Sequence, residues 1–164
     1  MAGPMADNSG LLRTARHNQA IKRETDVFKR IMIPVDLAHA GNLERALRVV
    51  ADLASHYGSE VVFVGVTGEL PSSVAHNPGE FSAKLETFAA EECKARGVAS
   101  FKAHTIVAHD PAVEIDGLLQ KAVDDLGADL VVMGSHIPRL FEMRTHGGHL
   151  AGHTHTSVFL VRDD

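Results

Sequence analysis

Two places in this chain put reactive residue types where a strand should end. The apolar run Ala128-Asp129-Leu130-Val131-Val132-Met133 leads into Gly134-Ser135-His136. A glycine there lets the backbone approach a phosphate, because no Cβ stands in the way. Beyond it come Ile137-Pro138-Arg139 and then Arg144-Thr145-His146-Gly147-Gly148-His149. Pro138 removes one N–H from such a loop. Thr145 offers a hydroxyl, Gly147 and Gly148 offer close backbone approach, and Arg139 and Arg144 offer guanidinium groups for phosphate. The second place is Asp36, which closes the run Ile31-Met32-Ile33-Pro34-Val35. Its carboxylate has three readings: a ligand group, a cap on the turn that follows, or a solvated charge.

Four histidines, His146, His149, His153 and His155, fall within ten residues of one another. On a helix the first three share a face, at a spacing that suits zinc. Gly147, Gly148 and Gly152 predict a poor helix, and no cysteine or second carboxylate lies nearby. Surface or loop histidines are therefore the preferred reading, with metal binding as the alternative. Ser135 lacks the flanking glycine of a nucleophile elbow. Cys93 lies on the apolar face of a predicted helix and reads as core. Asp124, Asp125 and Asp129 read as solvated helix-end charges. Nothing here positions a base beside an electrophilic group, so the expectation is a protein without catalytic residues.

The elements that must hold these groups follow from periodicity. Leu43, Ala46, Leu47, Val50, Leu53, Ala54 and Tyr57 recur at helical spacing, and Gly58 stops them. Glu60–Val66 reads as a buried strand and Thr67–His76 as a loop. Asn77-Pro78-Gly79-Glu80 opens a helix with a cap, a first-turn proline and a glutamate three residues on. That helix runs through Phe81, Leu85, Phe88, Ala89 and Cys93 to Gly97. A strand over 101–107 follows. Asp110-Pro111 repeats the cap signal before the stripe Ile115, Leu118, Leu119, Ala122, Val123, Leu126, which Gly127 ends. Strands over 130–134 and 157–161 complete the pattern. Pro34 is tolerable in its strand only near the end. Buried strands alternating with amphipathic helices predict a parallel sheet covered on both faces. Ligands then sit beyond the carboxyl ends of the strands, where Asp36, Val66 and Gly134 lie.

Composition bounds the rest. The chain has 164 residues, 45% hydrophobic and 23% charged, enough for one domain with a full core. A net charge of −5 gives no basic footprint for nucleic acid. No apolar run approaches the roughly 18 residues of a membrane span, and no signal peptide is visible. A single cysteine fits a cytoplasmic setting. Residues 1–27 are polar and read as a disordered or loosely docked arm, with the domain proper at 28–164.

The ordered set of segments resembles the universal stress protein family. The resemblance covers Phe28 to Arg162 and is carried by four pieces. They are Ile31–Asp36 with Arg45-Ala46-Leu47 after it, Gly58–Val66, Asp110-Pro111-Ala112 with Gly127–His136, and the terminal Ser157–Arg162. It implies an open five-stranded parallel sheet of order 3-2-1-4-5 and a homodimer formed through the last strand. One branch of the family binds ATP or AMP, and the resemblance then places Pro34, Asp36, Val66, Met133, Gly134, Thr145, Gly147 and Gly148 at the nucleotide. The family loop runs Gly, two residues, Gly, nine residues, Gly and Ser or Thr. Here Ile137 replaces the second glycine. Counting on reaches Gly147 with Gly148 in place of the hydroxyl residue, whereas alignment from the last strand puts Arg144-Thr145 there. The family also supplies a precedent for His153 before the last strand and for His136 in the loop. Expected partners are a second copy of the chain and a partner protein such as a transporter or a sensor, with no nucleic acid and no membrane insertion. The alternative to a nucleotide-binding stress protein is a protein-interaction module with a degenerate pocket.

Overall fold

The computed structural model describes residues 27–135 and 146–162. Its strands are β1 (Arg30–Pro34), β2 (Glu60–Gly68), β3 (Phe101–Ala108), β4 (Leu130–Ser135) and β5 (Ser157–Arg162). Its helices are α1 (Glu44–Tyr57), α2 (Pro78–Arg96), α3 (Pro111–Leu126) and α4 (His146–His153), with a 3₁₀ segment over Leu37–Leu43. The expected loop after β2 starts later than the composition suggested, because β2 stays paired with β3 as far as Gly68 opposite Ala108. Most of the expected N-terminal arm, residues 1–26, lies outside the described residues, as do residues 136–145.

All five strands pair in parallel in the order β3-β2-β1-β4-β5. Side chains alternate between two cores. Ile31, Ile33, Val61, Phe63, Leu130 and Val132 pack under α1 and α2. Met32, Val62, Val64, Val131 and Met133 pack under α3 and α4. Period-2 alternation explains why these runs are apolar throughout, since both faces are covered. Consecutive strands cross from one side of β1 to the other between β3 and β4, so the switch in strand order falls between β1 and β4.

Helix ends follow the local chemistry. α1, α2 and α3 each stop at a left-handed glycine, Gly58, Gly97 and Gly127. Asn77 caps α2 by accepting from the Glu80 N–H at 2.9 Å. Asp110 behaves differently from its expected cap role. Its side chain makes no cap bond, and its own N–H instead donates to the Glu114 carboxylate at 2.7 Å. α4 forms a helix despite its glycines. Leu150, 2% exposed, packs into the α3-side core, and the Gln120 side chain of α3 donates to the His153 carbonyl at 2.6 Å. Tertiary contacts here override weak intrinsic propensity.

The amino ends of the strands are tied by polar groups. The Asp129 carboxylate accepts from the Lys29 N–H at 2.8 Å and the Arg30 N–H at 3.1 Å. The Asp129 N–H in turn donates to the Arg30 carbonyl at 3.1 Å. Asp129 is therefore a clamp between β1 and β4 rather than a solvated helix-end charge. Arg30 reaches the Leu126 carbonyl and pairs with Glu60 at 2.8 Å. Glu60 also pairs with Lys102 on β3 at 2.9 Å. Hydrogen bonding from Lys102, then from Arg30, holds the Glu60 carboxyl below the usual carboxylate range.

Candidate functional site

At the carboxyl ends of β1, β2 and β4 the sheet opens into a cavity of about 410 Å³. That volume lies in the range of small-molecule sites. Its floor and walls are apolar, from Val64 and Val66 of β2, Met133 of β4, and Ile115 and Leu119 of α3. Asp36 stands at its edge, directly after the last residues of β1. The cavity exists because the ladder ends there. β1 pairs with β4 only through Ile31–Leu130 and Met32–Val131. Pro34, opposite Val64, lies past that register, so its missing N–H leaves no β4 acceptor unpaired.

Asp36 is held in a defined orientation. One carboxylate oxygen accepts from the Ala38 N–H at 2.9 Å, which caps the 3₁₀ segment. The other lies 2.8 Å from His39 Nδ1. Its side chain is 65% exposed, so the carboxylate remains open to a ligand while making both contacts. Of the three readings of Asp36, the cap is the one the hydrogen bonds show, and the capped residue lines the cavity.

The structure brings Pro34, Asp36, Val66, Met133 and Gly134 to this one cavity. Gly134 packs closely against Leu43. A Cβ built on it would lie 3.1 Å from Leu43 Cδ2, and its φ is not positive. Gly147 and Gly148 fall in the first turn of α4. Thr145, Ile137, Pro138, Arg139 and Arg144 lie outside the described residues, as does His136. Of the histidine group, His153 and His155 are exposed, while the side chains of His146 and His149 are outside the described set. Among the described residues no group of three His, Cys, Asp or Glu is placed to hold a metal ion. Cys93 is buried on α2, 2% exposed, and burial pushes its thiol up to about 11.

Two walls of the cavity escape the sequence reading. Phe81 of α2 lines it and rests on Gly65, where an added Cβ would sit 2.7 Å from Phe81 Cε1. A lone glycine inside the apolar run of β2 was the available signal, because such a glycine marks close approach of a neighbour. Pro111, Ala112 and Ile115 bring the first turns of α3 to the other side. The Asp110-Pro111 motif located that helix start but not its place over the sheet.

The universal stress protein family matches residues 28–162. The chain belongs to that family. Its fold is shared by solved universal stress proteins of low sequence identity. One, in complex with cAMP, is 16% identical with a TM-score of 0.65, over 84% of this chain and 99% of the other. Another, from Archaeoglobus fulgidus in complex with dAMP, is 18% identical with a TM-score of 0.59, over 82% and 98%. A third, from Arabidopsis thaliana with AMP bound, is 16% identical with a TM-score of 0.59, over 83% and 92%. A comparison with curated protein sequences finds no significant match.

Proposed function

We propose that this protein is a homodimeric regulatory stress protein that binds an adenine nucleotide, ATP or AMP, in the cavity beside Asp36. One observation carries the reading: Pro34, Asp36, Val66, Met133 and Gly134, from three separate strand ends, border the same cavity. Its chemistry suits a nucleoside. The apolar walls receive a base by burial of its faces, and the carboxylate accepts hydrogen bonds from ribose hydroxyls. Related folds with cAMP, dAMP and AMP bound support the ligand class. The phosphates belong with the segment after Ser135, where Thr145, Gly147 and Gly148 supply the polar and glycine positions of the altered loop.

Dimerisation through β5 completes the reading. Among the described residues β5 is an edge strand paired on one side only, and Phe159 is 49% exposed on it. A second copy pairing there removes an open edge. Among the described residues no helix is long and apolar enough to cross a membrane. A regulatory role carried by nucleotide occupancy or by a docked protein fits this chain better than catalysis.

Mass spectrometry of nucleotide released from gently purified protein, with calorimetric titration of AMP and ATP, tests the proposal. The expected result is a co-purifying adenine nucleotide and a Kd below about 1 mM. No released nucleotide and no affinity in that range would leave the protein-interaction module. The replacement of the family glycine by Ile137 favours that second reading. Restoring glycine at 137 and serine at 148 would then distinguish a pocket lacking anchors, which gains affinity, from a loop of different course, which does not.

A further inference from the structure

We infer that His39 is a positioning residue for the nucleoside end of the cavity, acting through the Asp36 carboxylate; this rests on the nucleotide reading above. Asp36 follows β1 on a short connection, and its side chain is 65% exposed. A carboxylate in that setting samples several rotamers unless something fixes it. Two groups fix this one. The Ala38 N–H holds Oδ1 at 2.9 Å, and His39 Nδ1 holds Oδ2 at 2.8 Å. The backbone is shaped for the second contact. His39 has φ −128° and ψ 33°, a non-helical break inside the 3₁₀ segment.

The chemistry of the pair assigns its direction. An ionised carboxylate only accepts, so His39 must carry its proton on Nδ1 in the neutral ring. Each carboxylate oxygen has two acceptor positions, and the contacts within the protein use one on each. A second position on each oxygen is left, which is the donor demand of a vicinal diol such as a ribose 2′,3′-pair. Asp36, fixed by His39, thus presents a two-point acceptor at the cavity edge. The ligand then meets a carboxylate whose ordering has already been met by folding.

The test uses the full chain with AMP as probe. His39→Ala should weaken AMP binding about fivefold, the cost of ordering one side chain on binding that folding no longer orders, with little change in Tm. His39→Asn should restore most of that affinity, because Asn Nδ2 stands where His Nδ1 does. Ring 15N shifts, recorded at a pH well above the ordinary histidine range, should show the Nδ1–H tautomer in the wild type and lose it in Asp36→Ala, which removes the acceptor. Unchanged or tighter AMP binding by His39→Ala, or an Nε2–H tautomer in the wild type, overturns the inference. A wild type that shows the Nδ1–H signature but binds no AMP instead overturns the nucleotide reading and upholds the fixed carboxylate.

Discussion

The two ends of the sheet are built on opposite terms. At the amino rim, charged groups from neighbouring strands consume one another. Asp129 clamps the backbone of Lys29 and Arg30, Arg30 meets Glu60, and Glu60 meets Lys102. At the carboxyl rim the ladder between β1 and β4 stops early, an apolar cavity opens, and the Asp36 carboxylate is left 65% exposed. The lesson is one of division of labour. Carboxylates on the amino rim have their acceptors filled from within, whereas the Asp36 carboxylate on the carboxyl rim keeps a share of its acceptors open to solvent, which the proposed nucleotide site would use. The direction of the chain dictates which rim does which, since every strand delivers its carboxyl end to the same side.

Asp129→Ala should produce the largest effect on the amino rim. It removes two backbone hydrogen bonds to a charged acceptor, for a loss of about 2–3 kcal/mol in denaturant unfolding. AMP affinity of the folded fraction should stay within twofold, roughly the scatter of such comparisons. A large loss of affinity at unchanged stability would merge the two rims and break the contrast.

Gly65→Ala comes next and probes the carboxyl side. The new methyl meets Phe81 at 2.7 Å, and overpacking of this kind costs about 1–3 kcal/mol. Because Phe81 also lines the cavity, its displacement should weaken AMP binding as well, which titration reads directly. Asp36→Ala sharpens the contrast from the other direction. Loss of the cap should cost about 0.5–1 kcal/mol of stability, while AMP affinity should fall about tenfold or more.

How far the sequence carried these assignments depends on whether a residue speaks locally. The alternation of strands and helices, the helix stops at Gly58, Gly97 and Gly127, and the Asn77 cap were legible because each rests on a neighbour a few residues away or on simple periodicity, whereas the strand order came only through the family resemblance. Asp36, Val66 and Gly134 were legible as strand ends. Asp129 was not, since its partners Lys29 and Arg30 lie a hundred residues back and are brought to it only by β1–β4 pairing. Phe81 and Gly65 were each visible, but their contact depends on how α2 lies over β2. The glycines of α4 pointed away from a helix because propensity has no knowledge of Leu150 and Gln120 holding it in place.

The smallest effect expected is a pH dependence on the amino rim. Glu60 has a folded pKa below its ordinary value of 4.5, through Lys102 first and Arg30 second. Its contribution is therefore fully present above pH 4.5 and is lost as pH falls through the folded-state value. Stability of Glu60→Gln, followed by thermal unfolding from neutral to acid pH, should fall less steeply with acid than that of the wild type. AMP affinity should not follow this change.

The most direct measurement is a map of backbone amide shifts on titration with AMP. The account predicts that Asp36, Val66, Met133 and Gly134 move together along one binding curve, while Lys29, Arg30, Glu60 and Asp129 stay in place. Saturable shifts confined to the amino rim, with residues 36, 66 and 134 unmoved, would contradict it.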